Sequence, residues 1–86
     1  MKLKADFITQ DIDGTQFLVP VGAENFNGIV KSNETAAFIV DCLKEEISFD
    51  GIVDKMSESY DAPRDVIASD VTDILSVLRK INAIEE

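Results

Sequence analysis

Gly28-Ile29-Val30-Lys31-Ser32-Asn33-Glu34-Thr35-Ala36-Ala37-Phe38-Ile39 is the stretch on which the fold turns, because the hydrophobic period changes inside it. Gly28 to Ser32 reads as a short strand. From Asn33 onward the apolar residues follow the 3.6-residue period of a helix. Ser32 or Asn33 can cap that helix through a side-chain oxygen, and Glu34 stands near its positive N-terminal end. The helix is expected to reach about Glu45. Its apolar residues, Ala36, Phe38, Ile39, Val40, Cys42 and Leu43, cover more than one stripe. Such a helix belongs between other elements.

Upstream the period is 2. Phe7 to Ile12 and Gln16 to Val21 read as strands flanking Asp13-Gly14, a pair suited to a two-residue type I′ turn. In the second strand Phe17, Val19 and Val21 share one face, which is expected to be the core face. Pro20 has no N–H, so at least one ladder bond stops there. Gly22 to Gly28 reads as a connection, and the strand from Gly28 to Ser32 should leave an edge of unpaired backbone groups.

Downstream, Ser48 can cap a second helix whose apolar residues are Phe49, Ile52, Val53, Met56 and Tyr60. Pro63 disfavours a helical Ala62 and suits the first turn of a third helix, expected from about Pro63 to Asn82. Ile67, Val71, Ile74, Leu75, Leu78 and Ile81 form its main stripe. Three strands followed by three helices predict an α+β fold, a three-stranded antiparallel sheet packed on a helical trio. With 86 residues there is room for a single domain, 1–86, around one core.

Composition narrows function. There are 17 acidic against 8 basic residues, for a net charge of −9. Nucleic acid is disfavoured, because affinity for phosphates comes from Lys and Arg displacing counterions. No apolar run approaches the ~20 residues of a membrane span. The start, Met1-Lys2-Leu3-Lys4, lacks the apolar stretch of a signal peptide, so a cytoplasmic location is expected. Histidine is absent, which removes the commonest general base and metal ligand. Cys42, the sole cysteine, lies on a mostly apolar helix beside Asp41 and reads as structural. Asp11-Ile12-Asp13-Gly14 does not continue as a calcium loop, and no glycine run is built to cradle phosphate. No enzyme activity, metal or cofactor is expected from this inventory.

The segment Phe26 to Ile39, with Asn33-Glu34-Thr35-Ala36 as its sharpest part, resembles the strand-to-helix junction of the PqqD-like peptide chaperones, also called RiPP recognition elements. Val19-Pro20-Val21-Gly22 is similar to that family's second strand. The break at Tyr60-Asp61-Ala62-Pro63 and the helix through Asp70, Val71, Leu75 and Leu78 are similar to its third helix. The resemblance implies a winged helix-turn-helix-like domain that binds the leader segment of a ribosomally synthesised precursor peptide. It implies that the leader adds as a strand to the third strand, in a groove closed by the third helix. Ile29, Val30 and Lys31, with Arg64, Ile67, Ala68, Val71 and Leu75, are the peptide-binding residues it implies. The partner would be a modifying enzyme, often a radical enzyme using S-adenosylmethionine. A general protein–protein interaction subunit and a winged-helix DNA-binding protein are the alternatives. The second needs a basic third helix, and Arg64 here stands against Asp65, Asp70 and Asp73.

Overall fold

The computed structural model describes residues 1–21 and 30–86, with Val30 described by its backbone. The expected Gly22–Gly28 connection and Ile29 lie outside the described residues. Among the described residues, five strands and three helices follow in the order β1 (Lys2–Leu3), β2 (Phe7–Ile12), β3 (Thr15–Pro20), β4 (Val30–Ser32), α1 (Glu34–Cys42), α2 (Phe49–Ser59), α3 (Arg64–Lys80) and β5 (Ile84–Glu85). β2, β3 and β4 form an antiparallel three-stranded sheet in that order, followed by the three helices, as the sequence predicts.

Asp13 and Gly14 both adopt positive φ, 53° and 81°, and join Ile12 to Thr15 as neighbours across the ladder. This is the geometry for which a type I′ turn selects Asp-Gly. The register set there decides which side chains face the helices. Leu18 is fully buried at 0% exposure and Gln16 is buried beside it. Phe17 and Val19 are only half-buried, and Val21 is exposed. The core face of β3 is therefore opposite to the one expected. The sheet is covered on one side, and strand parity ties Gln16, Leu18 and the cross-strand Ser32 to that side. Ile8 and Ile12, at 42% and 53% exposure, belong to the uncovered face with Phe17 and Val19.

Asn33 caps α1, its Oδ1 accepting the Ala36 N–H at 2.8 Å. The helix stops at Cys42, three residues before the expected Glu45. The chain's first residues explain the difference. The Leu43 carbonyl, which would accept the Ile47 N–H in a continuing helix, accepts the Leu3 N–H at 2.7 Å. The Ile47 N–H donates instead to the Met1 carbonyl at 3.0 Å. The N-terminal segment thus pairs with both groups of the Leu43–Ile47 bond that a continuing helix would have made.

Ser48 caps α2 as expected, its Oγ accepting the Gly51 N–H at 3.0 Å. α3 ends in a Schellman motif. Asn82, at φ 62°, takes the left-handed position; its N–H reaches the Arg79 carbonyl at 3.0 Å and the Ala83 N–H the Leu78 carbonyl at 2.9 Å. That turn delivers Ala83 and Ile84 into the core, where β5 pairs with β1 through Leu3 and Ile84. This second, two-stranded sheet is unforeseen by the sequence reading. The core itself joins Phe7 and Leu18 of the sheet to Ile39, Val40 and Leu43 of α1, Ile52, Val53 and Met56 of α2, and Ile67, Val71, Leu75 and Leu78 of α3. α1 is packed between its neighbours, as its broad apolar surface predicts.

Candidate functional site

Within the sheet, β4 pairs with β3 on one side and with no strand on the other among the described residues. Its open edge looks across a narrow depression toward α3. Ala36 and Val40 of α1 form part of that depression, and Ile74, Val77 and Leu78 form its α3 wall. Lys31, Ser32 and Asn33 border it from the strand side, and its volume is about 160 Å³. Ala36, Val40 and Leu78 are buried, Ile74 is half-buried, and Val77 is 47% exposed. The result is an apolar groove beside an open strand edge.

A second depression of about 230 Å³ continues past Asn33 and Ile74 and adds Thr35, Asp70 and Asp73. Along α3 the groove wall therefore changes from aliphatic to acidic within about two helical turns. Asp70, Ile74 and Val77 are spaced i, i+4, i+7, which places them on one face. That face adjoins the core stripe without coinciding with it.

The residues implied by the resemblance divide between these surfaces. Ile29 lies outside the described residues. The backbone of Val30 pairs with Leu18 at the start of β4, and Lys31 borders the groove. On α3 the structure does not bring the expected residues to the groove. Ile67, Val71 and Leu75 are core residues, at 2%, 0% and 1% exposure. Ala68 is half-buried against the same core, and its carbonyl accepts the Thr72 hydroxyl at 2.9 Å. Arg64 lies ten residues before Ile74, about 15 Å along the helix axis. Its guanidinium is paired with Asp54 of α2 at 2.8 Å. The groove residues of α3 are Ile74, Val77 and Leu78, and the wall is turned about 100° from Leu75. Val77 carried the signal that finds this face. It is an aliphatic residue outside the main stripe, where burial in the core does not account for it.

Cys42 is buried within the core, and burial pushes its thiol above the ordinary value. A smaller influence of Lys55 opposes that rise and Asp41 adds to it. Among the described residues no cluster of His, Cys, Asp or Glu is arranged to hold a metal ion. No described helix is long and apolar enough to cross a membrane.

Comparison with known proteins places this geometry. Residues 10–84 match the model of the family described as coenzyme PQQ synthesis protein D (PqqD). Among solved structures, TbiB1 in complex with the TbiA(beta) leader peptide superposes with a TM-score of 0.83 at 21% identity, covering 99% of this chain and 95% of that one. Lasso peptide synthetase B1 complexed with the leader peptide superposes with a TM-score of 0.79 at 18% identity, covering 99% and 96%. At these identities the likeness concerns the fold. A search of curated proteins gives no match.

Proposed function

The chain belongs to the PqqD family, and from that premise we propose that it is a peptide chaperone: it holds the leader segment of a ribosomally synthesised precursor peptide along β4 and presents it to a modifying enzyme. The observation that carries this reading is the open edge of β4 lying directly beside an aliphatic groove. The two similar structures, TbiB1 and lasso peptide synthetase B1, each contain a leader peptide, and this supports the same class of ligand here.

The physical balance of strand addition says where affinity would reside. Four backbone hydrogen bonds at roughly 0.5–1.5 kcal/mol each contribute about 2–6 kcal/mol. Ordering a flexible segment costs about 2–5 kcal/mol, so the backbone by itself sets register and little more. Two aliphatic anchors entering the groove at roughly 1.5–3 kcal/mol each supply the remainder. Ile74 and Val77 are the side chains against which such anchors would lie. Lys31 meets an acidic residue on the strand side, and Asp70 and Asp73 meet a basic one farther along.

In this reading the domain performs no chemistry on the bound peptide. A radical enzyme using S-adenosylmethionine is the first modifying partner to test. DNA binding is disfavoured by α3 itself: Arg64 is committed to Asp54, and Asp65, Asp70 and Asp73 are exposed along the same half of the helix.

The test is selection of a displayed library of random dodecapeptides against the folded domain, followed by NMR titration of the selected peptides. Selected sequences should carry two spaced aliphatic residues, protect the Lys31 amide from exchange and shift Ile74 and Val77. A selection that yields no binder, or binders that shift only the outer sheet face, would overturn the proposal.

A further inference from the structure

A strand added to β4 has two unlike surroundings, because successive side chains of a strand point to opposite faces of the sheet. β4 itself shows the division. Ser32 is buried on the helix side, across the ladder from buried Gln16. Lys31 is exposed and stands across from Phe17 on the uncovered face. Among the described residues, Lys31 is the one charged side chain at an outward position of β2, β3 or β4. It forms no ion pair there.

The neighbours of Lys31 on the β3 side carry no charge. Phe17 lies directly opposite, and Thr15 and Val19 are its diagonal neighbours on the same face. A lysine stem can lie along such a surface while its ammonium stays in water at the rim. A carboxylate for that ammonium can therefore come only from the open side of β4, where no strand stands among the described residues. That is the side on which a peptide would add.

We propose that the leader segment carries an acidic residue directly opposite Lys31, pointing away from the groove, with an aliphatic residue on each side of it. This inference rests on the peptide-chaperone reading and names the sequence class the site takes: aliphatic, acidic, aliphatic. By alternation the two flanking residues face the helix side, where Val40, Ile74, Val77 and Leu78 line the groove. A basic residue opposite Lys31 would set like charges across the ladder, which is destabilising. A slip of one residue would turn the carboxylate into the aliphatic groove and both anchors out to the other face. Lys31 thus fixes the register that backbone hydrogen bonds alone leave open.

The test selects the displayed dodecapeptide library in parallel on the parent domain and on Lys31→Glu. Peptides from the parent should carry Asp or Glu between their two aliphatic residues, and those from Lys31→Glu should carry Lys or Arg at that position. In calorimetry at low salt, changing the central acidic residue of a parent-selected peptide to Lys should weaken binding to the parent about 2- to 30-fold. The same change should strengthen binding to Lys31→Glu. If Lys31→Glu fails to fold, Lys31→Gln replaces it, and the preference for either charge should vanish. Binders that protect the Lys31 amide and shift Ile74 and Val77, yet show no charge preference at the central position, overturn this proposal and leave the peptide-chaperone reading standing. The same acidic preference on the parent and on the Lys31 variant does so too. A selection without binders on either domain overturns both.

Discussion

Replacing Val77 by aspartate separates the groove from the core. Val77 is 47% exposed on the solvent flank of α3, so the substitution leaves core packing intact and costs folding little. In the proposed peptide complex the position would be covered. Full burial of a valine contributes roughly 1.5–3 kcal/mol, so covering the half still exposed contributes about 0.7–1.5 kcal/mol, which the variant forfeits. An aspartate there must also lose water on binding without a partner, at about 1–3 kcal/mol. The sum, about 2–4 kcal/mol, corresponds to a loss of affinity of roughly 30- to 1000-fold. Calorimetry with a library-selected peptide measures that loss, and thermal melting monitors the fold. Val71→Asp is the control on the neighbouring face. Val71 is 0% exposed, and an unpaired carboxylate at that site costs several kcal/mol of a stability on the order of 4–13 kcal/mol. It should therefore unfold the domain or strongly lower its melting temperature. A folded Val77→Asp domain that binds the peptide within twofold of the parent would refute the assignment of the groove wall.

Other perturbations test the frame around the groove. Asn33→Ala removes the cap bond to the Ala36 N–H and should cost about 1 kcal/mol, read as a melting temperature lowered by roughly 4–8 °C. Glu86 is held below the ordinary glutamate pKa by the side-chain hydrogen bond from Arg79 and by that residue's charge. Its folded value is the depressed one, so its contribution is present above the ordinary value and is lost as pH falls through the lower folded value. NMR titration of the Glu86 carboxyl should return the ordinary midpoint in Arg79→Gln; an unchanged midpoint would dismiss the pair. Burial above all raises the Cys42 pKa, so the native thiol should react slowly with a disulfide reagent and quickly once denatured. Equal rates in both states would contradict its placement in the core.

Much of the fold was legible because local rules and packing agree. Asp13-Gly14 announced the hairpin, Asn33 and Ser48 announced two helix starts, and Pro63 announced the third. The face of β3 was not legible. Counting apolar residues favours Phe17, Val19 and Val21, but burial follows the side on which the helices sit, and Leu18 and Gln16 point there. β1 and β5 have two residues each and pair across almost the whole chain, so no periodic signal marks them. The open edge of β4 followed from strand order. The α3 wall did not, because the most apolar stripe of a helix is the one most suited to the core. Ile67, Val71 and Leu75 fill that core, and the surface left for a ligand is the less apolar face beside it.

The uncovered face of the sheet also bears on how the domain behaves in concentrated solution. Ile8, Ile12, Phe17 and Val19 form an apolar surface on a sheet whose β4 has an outer edge without a strand partner among the described residues, a combination that invites copies to stack and then zip together. Nine units of net negative charge oppose that encounter. The opposition is long-ranged only in dilute electrolyte, since the screening length falls from about 30 Å at 0.01 M salt to about 3 Å at 1 M. Colloidal stability of the free domain should therefore decline as salt rises while its melting temperature changes little, and light scattering across a salt series would separate the two. Handling conditions for this domain are set by its charge, with packing deciding only what happens once the charge is screened.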